Sequence, residues 1–179
     1  MLDLALYSRK TVIDGPGTRL ILWVRGCPHH CQGCGSRWAW NFHTPTVPVA
    51  QVIDLIASNR EGIEGISLCG GEPFAQAEPL SRVAAAAHAM DLSVVSFSGY
   101  TLEELANVPQ ADLLLAQTDI LLDGRFEKGS LERKRHWVGS TNQQVHYLSA
   151  RYVPGLEYPA EGERVRNSHT GPHGRVEKI

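Results

Sequence analysis

The sequence predicts an α/β protein built on a partial, open (β/α) barrel of about five or six parallel strands. Short β-rich apolar runs alternate along the chain with segments of helical periodicity, which is the pattern of βαβ units. About five such runs are present, too few for a closed barrel of eight strands. The chain has 179 residues, of which 42% are hydrophobic, so one domain can bury a core without disulfides.

The first half of the chain contains three of these strands and one helix. A short apolar stretch at residues 4–7 predicts an edge strand, and residues 19–24 form a β-rich run that is followed by a glycine. Apolar residues recur at helical spacing over 48–59, which predicts a helix. Residues 66–69 are the next predicted strand, because two glycines directly after them stop the run.

The second half continues the alternation. Residues 74–90 have the clearest helix propensity, with four consecutive alanines, and residues 92–97 form the next predicted strand. A short helix is predicted to begin at residues 101–104, where a threonine and a glutamate have the spacing of a capping box. Residues 120–122 and 144–148 are the last predicted strands.

The composition changes after Ala150, where glycine, proline and charged residues become frequent. We expect residues 1–150 to form the partial-barrel domain and residues 151–179 to be a loosely ordered C-terminal tail. The tail itself gives no functional signal.

The charge balance and the apolar runs exclude several classes of function. Lysine and arginine total 17 and aspartate and glutamate total 19, a net charge of −2, which argues against a strongly basic nucleic-acid-binding protein. No apolar run approaches the ~18 residues needed to cross a bilayer. The N-terminus lacks the pattern of a signal peptide. We therefore expect a cytoplasmic protein that binds neither nucleic acid nor membranes.

Three of the four cysteines lie close together, which indicates a metal site in a chain without a secretion signal. Cys27, Cys31 and Cys34 have the spacing C-x3-C-x2-C. A [4Fe–4S] cluster has four irons, so three thiolates leave one iron open for a substrate. One alternative is a structural zinc site completed by His29, His30 or Cys69. Another is an electron-transfer cluster with Cys69 as its fourth ligand.

A second candidate site follows the predicted strand at 66–69. Gly70 and Gly71 allow a ligand to approach the backbone closely, and free backbone groups at a strand end can hydrogen-bond it. The alternative is a plain strand-to-helix turn, with Pro73 in the first helical turn. Because the three-cysteine loop follows the preceding major strand, we favour a ligand site.

The cysteine loop and the segment Gly70-Gly71-Glu72-Pro73 together resemble the radical S-adenosylmethionine superfamily. The resemblance implies that the three cysteines bind a [4Fe–4S] cluster, whose open iron chelates the amino and carboxylate groups of S-adenosylmethionine. It also implies a set of cofactor-binding residues, namely Gly70, Gly71, Glu72, Pro73 and Ser98. In this family an electron from the reduced cluster cleaves the sulfonium to methionine and a 5′-deoxyadenosyl radical, so no side-chain acid or base is implied.

Residues 14–19 indicate one branch of this superfamily. They are similar to the DGPG-x-R signature of enzymes that activate glycyl-radical enzymes. The implied substrate is a backbone glycine of a large partner enzyme. The residues implied to bind it are Asp14, Gly15, Pro16, Gly17 and Arg19. Residues 138–142 resemble another segment of this family, and the short chain looks most like the activases of anaerobic ribonucleotide reductases. The usual electron donor in the family is a flavodoxin or a ferredoxin.

Two other functions remain open. A radical S-adenosylmethionine enzyme acting on a small molecule or a peptide would use the same cofactors, but it would not need the DGPG turn. An iron–sulfur electron carrier would not need the segment at 70–73. Single residues also have simpler interpretations: Arg19 satisfies backbone carbonyls, and Asp14 bonds its own turn.

Overall fold

The computed structural model of the chain describes residues 1–45, 47–166 and 176–178. The strands in these ranges are β1 (Leu4–Thr11), β2 (Arg19–Val24), β3 (Gly65–Gly70), β4 (Ser93–Phe97), β5 (Ile120–Asp123), β6 (Gln144–Tyr147) and β7 (Val176–Lys178). They form one open sheet in the order β6-β5-β4-β3-β2-β1-β7.

The strand directions differ in part from the expected arrangement. β2 pairs in parallel with β3, β3 with β4 and β4 with β5, whereas β1, β6 and β7 join the sheet antiparallel. The open α/β sheet is confirmed, but the prediction of five or six parallel strands is wrong for the part of the chain that the structure describes. A parallel return needs a crossover of about a dozen residues, and residues 12–18 between β1 and β2 are too few.

The longer helices cover one face of the sheet. The helices in the described ranges are α1 (Val49–Asn59), α2 (Ala77–Ala89), α3 (Leu102–Leu105) and α4 (Ala111–Leu115), and a 3-10 turn at Pro73–Gln76 precedes α2. The two long predicted helices and the capping box at α3 are confirmed, whereas α4 was not predicted. No helix in these ranges is long and apolar enough to cross a membrane.

The two faces of the sheet are covered differently. On the helix face, side chains such as Leu22, Leu68 and Val94 share the main core with α1 and α2. On the other face, Val95 packs in a smaller core with Trp137, which comes from the long connection between β5 and β6. Among the described residues, this smaller core is completed by irregular chain and contains no helical residue.

The predicted tail lies partly within the described residues, where it contacts the domain. The hydroxyls of Tyr152 and Ser93 are hydrogen-bonded at 2.6 Å, and β7 pairs with β1 at the edge of the sheet. Residues 167–175 and 179 of the tail lie outside the described residues. The boundary after Ala150 stays a prediction.

A candidate active site at the carboxyl ends of the parallel strands

A cavity of about 410 Å³ lies at the carboxyl ends of β2, β3 and β4. Parallel strands point their carboxyl ends to one edge of the sheet, so the loops that follow them meet there. The predicted site residues that line the cavity are Asp14, Cys27, Cys31, Cys34, Gly70, Gly71, Glu72 and Ser98. The other predicted site residues lie outside the lining; they are Gly15, Pro16, Gly17, Arg19 and Pro73.

The cysteine loop begins directly after β2 and is a compact turn. The Cys27 amide donates to the Trp40 carbonyl at 2.9 Å, which closes the base of the loop. The Cys34 amide donates to the Cys31 carbonyl at 3.1 Å. Gly33 takes a left-handed φ of 82° between them, a conformation that glycine adopts without strain. The loop therefore holds its three cysteines along one side of the cavity.

Backbone amides lie close to the sulfur atoms of Cys27 and Cys34. None of the four cysteines, all of which lie in the described residues, forms a disulfide. The Ser36 amide donates to Cys34 Sγ at 3.3 Å. Burial raises the pKa of the Cys27 thiol, while the backbone amides of His29 and His30 act in the opposite direction. Hydrogen bonds of this kind tune a thiolate that binds a metal.

The donor set fits an iron–sulfur cluster. Three cysteines on one short loop border one cavity, and thiolates are the ligands that hold such clusters. In residues 1–45, 47–166 and 176–178, no three side chains of histidine, cysteine, aspartate or glutamate are arranged to hold a single metal ion. A [4Fe–4S] cluster does not require that arrangement, because each thiolate binds a different iron.

Cys69 lines the same cavity from β3. Its thiol has a pKa well above the usual range, because burial disfavours the thiolate and the nearby charge of Asp14 adds to the effect. The surroundings of Cys69 therefore favour a neutral thiol.

The two glycines after β3 allow close packing of two strand ends. Gly70 has a left-handed φ of 107°, and a Cβ there would lie 2.5 Å from the Val24 carbonyl oxygen. A Cβ on Gly71 would lie 2.5 Å from the Gly26 carbonyl oxygen. The Gly71 and Glu72 amides donate to the same two carbonyls, at 2.8 Å each. The sequence predicted that these glycines let a ligand come close to the backbone. The structure gives a second reason, because the chain that enters the cysteine loop also packs against them.

The same segment is also a regular strand-to-helix turn, which was the simpler interpretation. The Glu72 side chain caps the 3-10 turn by accepting a hydrogen bond from the Phe74 amide at 3.0 Å. Pro73 is buried at the start of that turn, where its missing amide hydrogen costs nothing. The segment thus connects β3 to α2 and borders the cavity at the same time.

The buried carboxylate of Glu72 connects three segments of the site. One of its oxygens accepts from the Phe74 amide and from the Ser98 hydroxyl, both at 3.0 Å. The other oxygen accepts from the Gly99 amide at 2.7 Å. It also lies 3.3 Å from His29 Nε2 in the cysteine loop. Glu72 therefore links the ends of β2, β3 and β4.

The DGPG turn reaches the cavity through Asp14, which is buried. Ser67 Oγ donates to the Asp14 carbonyl at 2.6 Å. Gly15 and Gly17 have φ values of 137° and 65°. A Cβ on Gly15 would lie 2.7 Å from Cδ of Arg19, so the turn packs directly on the arginine.

Arg19 is fully buried at the start of β2. It donates to the carbonyls of Pro16 and Ile66 at 3.0 and 2.6 Å. It also donates to the hydroxyls of Ser67 and Ser93 at 2.8 and 3.0 Å. Burial lowers the pKa of its guanidinium. The expected direct contact of Arg19 with a partner is therefore corrected, because the protein encloses this side chain and uses it to hold the turn.

Another wall of the cavity comes from the connection between β5 and β6, which the sequence did not assign to the site. Its lining residues are Gly124, Phe126, Trp137, Gly139 and Gln143. Gln143 Oε1 accepts from the amides of Gly139 and Ser140 at 3.0 Å each. Its Nε2 donates to the Gly124 carbonyl at 2.8 Å. The family-like segment at 138–142 is the sequence signal for this wall, but it does not reveal the wall's position in the fold.

The chain is similar in sequence to several known proteins. Residues 13–146 match a family model described as a 4Fe-4S single cluster domain. The anaerobic ribonucleoside-triphosphate reductase-activating protein of Vibrio cholerae is 34% identical over 149 residues, which are 78% of this chain and 94% of that protein. The protein of the same name from Escherichia coli K12 is 34% identical over 154 residues, covering 79% of this chain and 96% of that one.

Among solved structures, QueE from Escherichia coli is 13% identical and aligns with a TM-score of 0.43, over 56% of this chain and 52% of that chain. That score is too low to support an argument about the fold. The family model covers most of the chain, and the two relatives are matched over nearly their whole length. The chain therefore belongs to the family of anaerobic ribonucleoside-triphosphate reductase-activating proteins and has a 4Fe-4S single cluster domain.

Proposed function

We propose that this protein is a radical S-adenosylmethionine enzyme that installs a glycyl radical on an anaerobic ribonucleoside-triphosphate reductase. The proposal is carried by one observation, the meeting of the cysteine loop, the turn after β3 and Asp14 at one cavity. The relatives of this chain support the identity of the partner, because they are named as proteins that activate this reductase. The reaction removes a hydrogen atom from the Cα of one glycine in the reductase.

In this proposal Cys27, Cys31 and Cys34 hold a [4Fe–4S] cluster, and one iron has no protein ligand. When bound, the reduced cluster supplies the electron that cleaves S-adenosylmethionine to methionine and the 5′-deoxyadenosyl radical. Cys69 is not a ligand in this proposal, because it lies on β3 and outside the short loop that holds the other three cysteines.

Residues 70–73 and Ser98 seat the methionyl end of S-adenosylmethionine. Their positions are fixed before the cofactor binds, since the Gly71 amide donates to the Val24 carbonyl and the Ser98 hydroxyl donates to Glu72. A fixed seat reduces the entropy lost when the reactants are aligned. Aromatic side chains in the cavity wall limit the access of water to the radical. They are Trp23, Trp38, Trp40, Phe97, Phe126 and Trp137.

The glycine-containing loop of the reductase enters through the open side of the cavity. Asp14 accepts hydrogen bonds from the backbone of that loop, and residues 15–17 shape the approach. Arg19 contributes from the core, where it holds the Pro16 carbonyl. A glycine suits this chemistry, because it has no side chain to keep the attacking carbon away and because its flanking amides stabilise the product radical. The hydrogen is transferred as an atom, so no side-chain acid or base takes part.

Several finer points belong to the same proposal. The open sheet curves as a partial barrel, and residues 1–150 form this domain, with 151–179 as its tail. A flavodoxin- or ferredoxin-type protein supplies the electrons, in the cytoplasm and without oxygen. The net charge of −2 supports a protein that binds no nucleic acid.

The experiment pairs the anaerobically reduced protein with an anaerobic ribonucleoside-triphosphate reductase and S-adenosylmethionine. We expect a carbon-centred doublet in electron paramagnetic resonance, together with 5′-deoxyadenosine and methionine in chromatography. Asp14→Asn keeps the side-chain shape but removes the charge, so the doublet should weaken about tenfold, the effect of losing one charge-assisted hydrogen bond. Cleavage of S-adenosylmethionine without the reductase should stay unchanged in this variant.

The matched control is Asp54→Asn, at an exposed position of α1. This variant should give the wild-type doublet. Cleavage of S-adenosylmethionine without any doublet on the reductase would contradict the proposed substrate. A fully reduced cluster that leaves S-adenosylmethionine intact would contradict the proposed chemistry.

A further inference from the structure

We infer that His29 is a positioning residue, which ties the cysteine loop to Glu72 and to the end of β4. It keeps the cluster and the S-adenosylmethionine-binding strand ends at one fixed spacing. The inference rests on the proposed function and deepens it, because it assigns a role at that site to a histidine that lines the same cavity and was not among the predicted site residues.

The two histidines of the cysteine loop have opposite surroundings. The side chain of His29 is 5% exposed, and its Nε2 lies 3.3 Å from an oxygen of Glu72, a residue whose side chain is 1% exposed. This is a close polar contact and not a hydrogen bond, because Nε2 has no hydrogen-bond partner among the described residues. His30 is exposed and stacks on Trp40, with ring centroids 4.8 Å apart. The fold thus turns one imidazole inward, toward a buried carboxylate, and leaves its neighbour at the surface.

Gly99 provides the space that His29 occupies. A Cβ on Gly99 would lie 2.3 Å from His29 Cδ2 and 2.8 Å from Nε2. The backbone of Gly99 is not left-handed, so its conformation does not require a glycine. The Tyr100 ring meets the imidazole edge-on, with centroids 4.3 Å apart and an interplanar angle of 76°. The absence of a side chain at position 99 is therefore explained by the imidazole of His29.

Glu72 connects His29 to the other cofactor-binding segments. Its carboxylate already accepts hydrogen bonds from the Ser98 hydroxyl and the Gly99 amide. The Glu72 amide donates to the Gly26 carbonyl, at the entry of the cysteine loop. With His29 in place, the loop is fixed to the turn after β3 at its entry and again at its middle. Without the imidazole, the middle of the loop loses its attachment while all three cysteines remain.

The test uses the anaerobically reconstituted protein and five variants: His29→Ala, His29→Gln, Gly99→Ala, the double variant of His29→Ala and Gly99→Ala, and His30→Ala as the matched control. Iron and sulfide content and the equilibrium binding of S-adenosylmethionine are measured for each. The resonance spectrum of the reduced cluster is recorded with and without S-adenosylmethionine. Binding and the spectrum are read without the reductase, so neither depends on radical transfer.

We expect His29→Ala to retain its iron, bind S-adenosylmethionine about tenfold more weakly, and show a smaller change of the cluster spectrum when it binds. Gly99→Ala should have the same effect, because its Cβ displaces the imidazole. The double variant should be no worse than either single variant, since both changes remove one contact. His29→Gln, which keeps an N–H donor, should recover part of the affinity, and His30→Ala should resemble the wild type.

Wild-type affinity and an unchanged spectrum in His29→Ala would overturn the inference. So would loss of iron in His29→Ala, which would make His29 a ligand or a requirement for folding, and so would additive effects in the double variant. A wild-type protein that binds no S-adenosylmethionine would overturn the proposed function, and the inference with it.

Discussion

Both ends of the parallel strands β2, β3 and β4 carry buried polar networks, but the two ends differ in how they are covered. At the amino ends, the guanidinium of Arg19 is fully enclosed and hydrogen-bonded. At the carboxyl ends, Glu72 is almost as deeply buried, yet the half-buried cysteines beside it line a cavity. The same sheet thus has a closed structural end and an open end suited to chemistry. The segments that cover each strand end therefore determine whether its buried polar residues only stabilise the fold or also border the candidate site.

The covering segments account for this difference. At the amino ends, the DGPG turn packs on Arg19, and Asp14 is its one residue that lines the cavity. Tyr152 from the C-terminal segment adds a hydrogen bond to Ser93. At the carboxyl ends, the cysteine loop turns back on Trp40, and residues 124–143 form another wall. These segments border the cavity without filling it.

The largest expected effect on the free energy of unfolding comes from replacing Arg19, the central residue of the closed end. Arg19→Met keeps much of the side-chain volume but leaves the buried carbonyls of Pro16 and Ile66 without their donor. We expect the free energy of unfolding to fall by about 3–5 kcal/mol, the range for a broken buried charged network. Chemical denaturation of the anaerobically purified protein measures this change.

The matched control is Arg82→Met, whose side chain is 64% exposed and lies 4.0 Å from Glu78. A surface ion pair of this kind contributes little, so the change should stay within about 0.5 kcal/mol. If Arg19→Met were as stable as the wild type and failed only with the reductase, the division into a closed and an open end would be wrong.

A smaller effect is expected where the open end meets β2. Gly71→Ala places a Cβ 2.5 Å from the Gly26 carbonyl oxygen, so the turn or the entry of the cysteine loop must shift. We expect a loss of about 1–3 kcal/mol, as for other overpacked sites, together with weaker binding of S-adenosylmethionine. Gly35→Ala is the control in the same loop, because no atom lies within 4 Å of its Cβ position. A stable Gly71→Ala variant that loses only cofactor binding would show that ligand approach alone requires this glycine.

The smallest effect concerns the cover of the closed end. Tyr152→Phe removes one hydroxyl that is bonded to Ser93 and to Glu64, so we expect a loss of about 1 kcal/mol near neutral pH. Burial, and then the hydrogen bond to Glu64, raise the pKa of Tyr152 above its ordinary value of 10.0. The folded protein therefore holds this proton more tightly than the unfolded chain does.

The sign of the pH dependence follows from this shift. The stabilisation by Tyr152 is complete below pH 10, the ordinary value, and is lost as the pH rises from there through the raised pKa. Denaturation series at several alkaline pH values should show a steeper loss for the wild type than for Tyr152→Phe. Tyr158→Phe, at a tyrosine that is 59% exposed, should follow the wild type. If the free energy of unfolding fell equally steeply with pH in Tyr152→Phe and in the wild type, Tyr152 would not be part of this hydrogen-bond network.

Local patterns predicted the elements well, because they depend on neighbouring residues. The strand at 19–24, the helix over 48–59 and the capping box at 101–104 agree with the structure. Strand direction depends on how the chain returns, so the antiparallel β1 and β6 were missed. The helix α4, Ala111–Leu115, is too short to give a periodic signal.

The site was predictable where residue types carry the chemistry and unpredictable where burial decides. The spacing of the cysteines and the glycines after β3 pointed to loops that line one cavity. The sequence favoured a contact between Arg19 and the partner enzyme, because charged side chains are usually exposed. The structure shows that Arg19 is 0% exposed, which the sequence does not reveal. The pairing of His29 with Gly99 joins segments far apart in the chain, and no local pattern encodes it.

The most direct test of the open end is the iron and sulfide content of four single variants: Cys27→Ala, Cys31→Ala, Cys34→Ala and Cys69→Ala. The account predicts about four irons per chain in the wild type and in Cys69→Ala. It predicts loss of the cluster in each of the other three variants, because each removes one of three ligands. If Cys69→Ala lost its iron as fully as Cys31→Ala, all four irons would be held by the protein, and the open iron on which the proposed chemistry depends would be contradicted.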